Sequence, residues 1–149
     1  MNGRLRIAAT LSMLAVPLAA QEVAPCDWRA SAAAVAEPWE RNTATFARGM
    51  VRLALLDTVE PAAGAFHILV LSPPFDEIGT RQCRVISQGD SIGFAGADFA
   101  SLRASYEASR GLTFRMDITR FDPATAGFEE AEIAFTVNQS TGAITVEDR

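Results

Sequence analysis

His67 is the only histidine in the chain, and imidazole is the side chain that most hydrolytic chemistry at neutral pH uses as its general base. It stands in AFHILVLSPPF, residues 65–75, a run that otherwise has the composition of a protein interior. In an extended strand Ala65, His67, Leu69 and Leu71 share one face, and Phe66, Ile68 and Val70 share the other. Both faces are apolar, so the strand is expected to be covered on both sides, or to lie near a helix. A histidine in that setting reads as neutral, hydrogen-bonded and structural. Catalysis would require partners. Ser72 falls on the opposite face and no GxSxG elbow occurs. Asp57, across the expected hairpin, is the carboxylate placed to reach the ring. A histidine–carboxylate pair without a placed nucleophile is an incomplete triad.

The other reactive side chains are Cys26 and Cys83. Their spacing fits no CxxC redox or zinc motif, and an even count in an exported chain reads as a disulfide. Such a bridge closes a long loop and contributes roughly 4 kcal/mol on the chain-entropy account. With the cysteines bridged and one histidine left, a metal site would have to be built from carboxylates. Glu129, Glu130 and Glu132 cluster at a strand start, and Asp90 and Asp98 match no calcium loop, so all five read as solvated acids. Paired carboxylates for glycoside cleavage could be drawn from Asp76, Glu77, Asp117 or Asp122, but nothing in the sequence selects a pair. No GxGxxG or P-loop occurs, and no cofactor is expected.

One loop stands apart. SPPFDEIGTRQC, residues 72–83, holds two prolines, an aromatic residue, two acids and an arginine, and ends at the expected disulfide. Proline restriction and the bridge make it stiff, and a stiff loop loses little entropy on binding. Phe75, Asp76, Glu77 and Arg81 are therefore the candidate binding residues, with Phe75 at the centre. The plain reading is a hairpin connection with Phe75 folded into the core.

These residues have to be positioned in a particular compartment. MNGRLRIAATLSMLAVPLAA, residues 1–20, opens with Arg4 and Arg6 and continues as a short apolar run ending in small residues. This is the layout of a secretory signal peptide cleaved after about Ala20; the run is too short for a permanent anchor. No second apolar stretch approaches membrane length, so the mature form is expected to have no membrane span. VAPC, residues 23–26, is a poor lipid-attachment signal because Pro25 precedes the cysteine. The formal charge is −5, and loss of the two leader arginines leaves the remainder more acidic. An acidic surface argues against nucleic acid and anionic membranes as partners. All 13 basic residues are arginine, a bias that points to a GC-rich bacterial genome. The expected location is periplasmic or secreted.

Residues 21–149 read as one all-β domain. Asp27 can cap a helix over residues 27–37, with Trp28, Ala32, Val35 and Trp39 on one stripe and Pro38 ending it. Strands are expected from about residue 43 to 147. One runs through residues 51–57, beginning as early as Thr43 with a bulge at Gly49. A turn follows at residues 60–64, then a strand from 65 that the prolines stop after Ser72, and another at 83–87. Residues 91–99 are ambiguous. Leu102, Ala104 and Tyr106 alternate with polar residues, as do Leu112, Phe114, Met116 and Ile118, then Ile133, Phe135 and Val137. Ile144 and Val146 make the last strand. About seven or eight short strands with no helix between them pair antiparallel, as a sandwich or a small barrel.

TFARGMVRLALLDTVEPAAGAFHILVLSPPFDEIGTRQCRVIS, residues 45–87, resembles a group of small exported proteins of alphaproteobacteria with no known activity, and the similarity extends through GFAGADFASL to the C-terminal strands. The resemblance implies an exported bacterial setting and assigns no functional residue. The function expected is that of a non-enzymatic periplasmic binding or interaction module, with a periplasmic protein as its partner. A small hydrolase using His67 or a carboxylate pair, and a structural envelope component, are the alternatives.

Overall fold

Strands form where side chains of opposite character alternate, because each strand then buries one face and wets the other. In the computed structural model, which describes residues 21–89 and 91–147, nine strands form among the described residues. They are β1 (Glu22–Pro25), β2 (Thr43–Phe46), β3 (Val51–Asp57), β4 (Phe66–Phe75), β5 (Arg81–Ser87), β6 (Gly96–Glu107), β7 (Gly111–Asp122), β8 (Gly127–Val137) and β9 (Ile144–Glu147). All pairings are antiparallel, in two sheets of order β1-β5-β4-β3-β2 and β6-β7-β8-β9. The sheets stack as a sandwich. The expected leader, residues 1–20, and Asp90 lie outside the described residues.

The main core lies between the sheets. Leu53, Leu55, Ile68, Val70 and Ile86 of the first sheet meet Phe114, Met116, Ile118, Ile133 and Phe135 of the second. Phe114 sits at its centre, with ring centroids 4.9 Å from Phe46 and 5.1 Å from Phe135. A second, smaller cluster of Leu56, Val85 and Ala34, with Cys26, Ala30, Val35 and Leu69 around it, covers the outer face of the first sheet. Residues 26–36 supply that cover, which is why β4 is apolar on both faces.

That covering segment is not the expected helix. It is two 3-10 turns, Trp28–Ala30 and Ala32–Ala34, separated by Ser31 in extended conformation. Asp27 does cap the first, its carboxylate accepting from the Arg29 backbone N–H at 3.0 Å. The tryptophan stripe does not form; Trp28 and Trp39 are 72% and 52% exposed. The sheet beneath decides this. Ala36 donates its N–H to Leu55 O, and Val35 bridges to Leu56. A chain that gives its backbone hydrogen bonds to a sheet edge cannot keep them within a helix.

Three further details differ from expectation. β2 and β3 are two strands of a hairpin, because Ala47, Arg48 and Gly49 all take positive φ and reverse the chain. β4 continues past Ser72 to Phe75 through a register break that accommodates the prolines. β1 is an additional edge strand, pairing Glu22 with Ser87 and Pro25 with Arg84.

The sandwich has two ends. At one, tight turns at residues 47–50, 76–80, 108–110 and 138–143 connect the strands. At the other lie the connections at residues 58–65, 88–95 and 123–126, the first two of eight positions each. The disulfide Cys26–Cys83, with Cα atoms 5.3 Å apart, fastens the covering segment to β5.

Candidate functional site

His67 faces the covering segment, on the outer side of the first sheet, and is 2% exposed. Its strand partner is Leu56, while Asp57 opposes Phe66 and spends its carboxylate on the Val59 N–H. The histidine–Asp57 contact that the catalytic alternative would need does not form. The partner is Ser87, whose Oγ lies 2.8 Å from His67 Nδ1. Pairing of Ile68 with Ile86 sets these two side by side. Arg29, 2% exposed, reaches the same hydroxyl, Nη1 donating to Ser87 Oγ at 3.0 Å. Its other nitrogens hold Asp27: Nε donates to Oδ1 at 2.9 Å and Nη2 lies 2.9 Å from Oδ2.

The hydrogen inventory gives this chain a direction. Arg29 can only donate, so Ser87 Oγ accepts from it. With the Ser87 hydroxyl donating its hydrogen bond to Nδ1, the neutral His67 imidazole carries its own proton on Nε2. Burial, and after it the Arg29 charge, pull the His67 pKa down to about 4, against a smaller opposing effect of Asp27. The Arg29 hydrogen bond holds Asp27 below the usual carboxylate range. A serine hydroxyl on an imidazole is the arrangement of an activated nucleophile. Here Ser87 has no exposed surface, its oxygen already accepts a charged hydrogen bond, and the imidazole is a weak base. The quartet bonds the covering segment to the sheet.

Phe75 sits at the tip of the β4–β5 hairpin, 41% exposed, paired in register with Arg81. The Arg81 guanidinium carbon lies 5.5 Å from the Phe75 ring centroid, within cation–π range. Arg81 is tied down in turn, Nη2 donating to Gly49 O at 3.1 Å and Nε to Met50 O at 3.3 Å. Asp76 organises the turn by accepting from the Ile78 and Thr80 N–H groups at 3.1 and 2.7 Å, and the Thr80 bond foremost lowers its pKa. Glu77 is exposed, and Ile78 is 88% exposed. All four candidate binding residues thus share one rigid tip, and Phe75 does not fold into the core.

A cavity of about 450 Å³ opens at the loop end, bounded by Pro61, Ala63, Ile92, Phe121, Pro123 and Gln88 with intervening glycines. Gln88 is the only polar side chain in its wall among the described residues. Behind it the inward-facing positions of three strands turn polar. Val23, Ile86 and Ile118 belong to or pack on the main core; two residues further toward the loop end stand Gln21, Gln88 and Arg120. Gln88 Nε2 donates to Phe121 O at 3.0 Å. Buried side-chain atoms without a hydrogen-bond partner, among the described residues, are Gln21 Oε1, Gln88 Oε1, and Nε and Nη2 of Arg120.

The remaining carboxylates do not assemble an acid–base pair. Asp76 and Asp122 cap turns at opposite ends of the sandwich. Asp117 opposes Glu132 on the outer face of the second sheet, where Glu132 accepts from Arg103 at 2.7 Å and from Arg115 at 2.9 Å. Among the described residues no three His, Cys, Asp or Glu side chains converge as a metal site.

Ser87 and Arg29 were not singled out by sequence reasoning, because both depend on which strands pair and on the path of residues 26–36. Arg120 carries a legible signal: it continues the inward parity of Leu112, Phe114, Met116 and Ile118 as a charge. Comparison with protein-family models, with curated proteins and with solved structures found no match.

Proposed function

We propose that this chain is an exported, non-enzymatic binding module that contacts a periplasmic protein through the tip of the β4–β5 hairpin. The observation that carries the reading is Phe75. It is a large aromatic residue held in solvent by a stacked Arg81 whose own position is fixed by the Gly49 and Met50 carbonyls. Aromatic and arginine anchors with little conformational freedom are what interface hot spots are made of, and truncating one costs about 2 kcal/mol of binding. The neighbouring Ile78 extends the apolar area, and Asp76 and Glu77 give it an acidic rim. The disulfide and the leader-like sequence support export. No helix among the described residues is long and apolar enough to cross a membrane.

A photo-crosslinker placed at Ile78 tests this in cells, with one at Phe128, exposed on the other sheet, as control. The expected result is a discrete adduct from Ile78 that disappears with Phe75→Ala while the unfolding midpoint holds. Equal labelling from both positions, or a lowered midpoint, removes the hairpin tip as a contact surface. The hydrolase alternative draws support from the Ser87–His67 distance alone. It requires Ser87 to become accessible, and labelling of Ser87 by a fluorophosphonate probe would establish that.

A further inference from the structure

Two of the three guanidinium nitrogens of Arg120 have no partner among the described residues. Nε and Nη2 are shut off from solvent without an acceptor, and no carboxylate of a described residue lies within ion-pair distance. Glu129, directly opposite on β8, is exposed and does not pair with it. The two unpartnered N–H groups are adjacent ones. They form the side edge of the guanidinium, whose parallel donors match the two oxygens of a carboxylate. A buried donor left empty is costly, so a pair on one edge calls for a bidentate acceptor. Arg120 is followed in the chain by Phe121, whose carbonyl accepts from Gln88 Nε2 at 3.0 Å, and Phe121 and Gln88 both line the apolar cavity of about 450 Å³. Gln88 also carries one of the buried, unpaired atoms.

We propose that the loop end is a binding site for a small carboxylate on an apolar body. Its carboxylate is gripped by Nε and Nη2 of Arg120, and its apolar part is seated against Pro61, Ile92 and Phe121. Gln88 is the movable piece of the wall. It gives up its bond to the Phe121 carbonyl as the ligand enters, and its amide is then free to bond the ligand. This site lies at the end of the sandwich opposite Phe75 and does not depend on that surface, so either can fail alone.

The test uses hexanoate and phenylacetate as probes, with hexanamide and phenylacetamide as uncharged controls, titrated into the purified protein and followed by the 15N resonance of Arg120 Nε–H. Both carboxylates are expected to shift that resonance and the amides of Gln88 and Phe121, and the uncharged controls to leave Arg120 unmoved. Arg120→Met is expected to weaken carboxylate binding about tenfold or more, as loss of a charge-assisted pair should. Arg120→Lys, which keeps the charge without the fork, should recover only part of it. Equal binding of acids and amides, or undiminished binding by Arg120→Met, would overturn the proposal. So would an Arg120 resonance indifferent to every probe, which would leave interior water as the occupant; this last readout needs no variant to fold.

Discussion

The two ends of the sandwich are built on different principles. Each of the four turns at one end contains, or is followed directly by, a glycine at positive φ: Gly49, Gly79, Gly111 and Gly142. Only the first of these turns also places other residues there, Ala47 and Arg48. Among the described residues the three loops of the other end each hold one residue at positive φ, and none is glycine: Val59, Ser91 and Ala126. For an L-residue that conformation costs roughly 1–2 kcal/mol, and for β-branched Val59 it is a marked outlier. Apart from Ala47 and Arg48 in the first turn, the turn end is closed by glycines, which take positive φ at little cost. Strain, a cavity and unpaired polar atoms gather at the loop end, and so does the His67–Ser87 pair. Strain persists only where surrounding structure enforces it, and it collects at functional sites. The contrast singles out the loop end as the less relaxed half of the molecule.

The sharpest way to break that contrast is to strand the charge beneath it. Asp27→Ala leaves Arg29, 2% exposed, without a counter-ion; because Asp27 is itself 39% exposed, the cost should be about 3 kcal/mol, the low end for breaking a buried pair. Arg29→Met takes the charge away with it and should cost less, although Arg29 is the deeper residue. Chemical denaturation of both variants decides the order, and the reverse order would show that Asp27 is not needed to balance the guanidinium.

Acid should act on the same network. The folded pKa of His67, about 4, lies below the usual 6.5, so the unfolded chain binds the extra proton between those values. The stability that comes from keeping His67 neutral is therefore complete above pH 6.5. It is lost as pH falls from there toward 4, by up to about 3 kcal/mol. Denaturation midpoints across that window should flatten in His67→Gln. Hydrogen exchange should quicken first around Ser87 and Gly93, and not in the turns at the far end.

Smaller effects separate the ends by their glycines. In Gly111→Ala the new Cβ would meet Val137 O at 2.3 Å, at a φ of +113°, and should cost about 2–3 kcal/mol. Val59→Gly should do the opposite. Relief of left-handed strain exceeds the entropy lost to glycine, for a net gain of about 1 kcal/mol or less. Thermal unfolding of the two variants measures the difference, and destabilisation by Val59→Gly would remove strain as a distinction between the ends.

Much of this architecture is visible in the pattern of residues. The second sheet is a meander whose turns fall where expected, and its central strand β7 alternates cleanly because one face is core. The first sheet is harder to read because its outer face is covered. Both faces of β4 are apolar, and the cover, residues 26–36, has the alanine content and spacing of a helix while obeying the sheet below. β1 has no alternation to betray it, and β2 merges with β3 until three residues at positive φ are known. The disulfide and the rigid Phe75 tip follow from local features, cysteine count and proline restriction. Ser87 does not, since a serine 20 residues from His67 in sequence becomes its neighbour only through the β4–β5 register.

The lengths of the outermost strands carry a consequence for life at high concentration. β1, β2 and β9 are each four residues long, shorter than the six- or seven-residue segments that propagate cross-β stacking. β1 also ends in Pro25, which offers no donor. The fourth outer strand, β6, has 12 residues, but its ladder is interrupted between Asp98 and Arg103 and it carries charge on both sides of the break. None of the four presents a long, flat row of free backbone groups to another chain. This protein is therefore guarded against polymerising edge to edge, and any partner it takes has to recognise side chains and loops instead of completing a sheet.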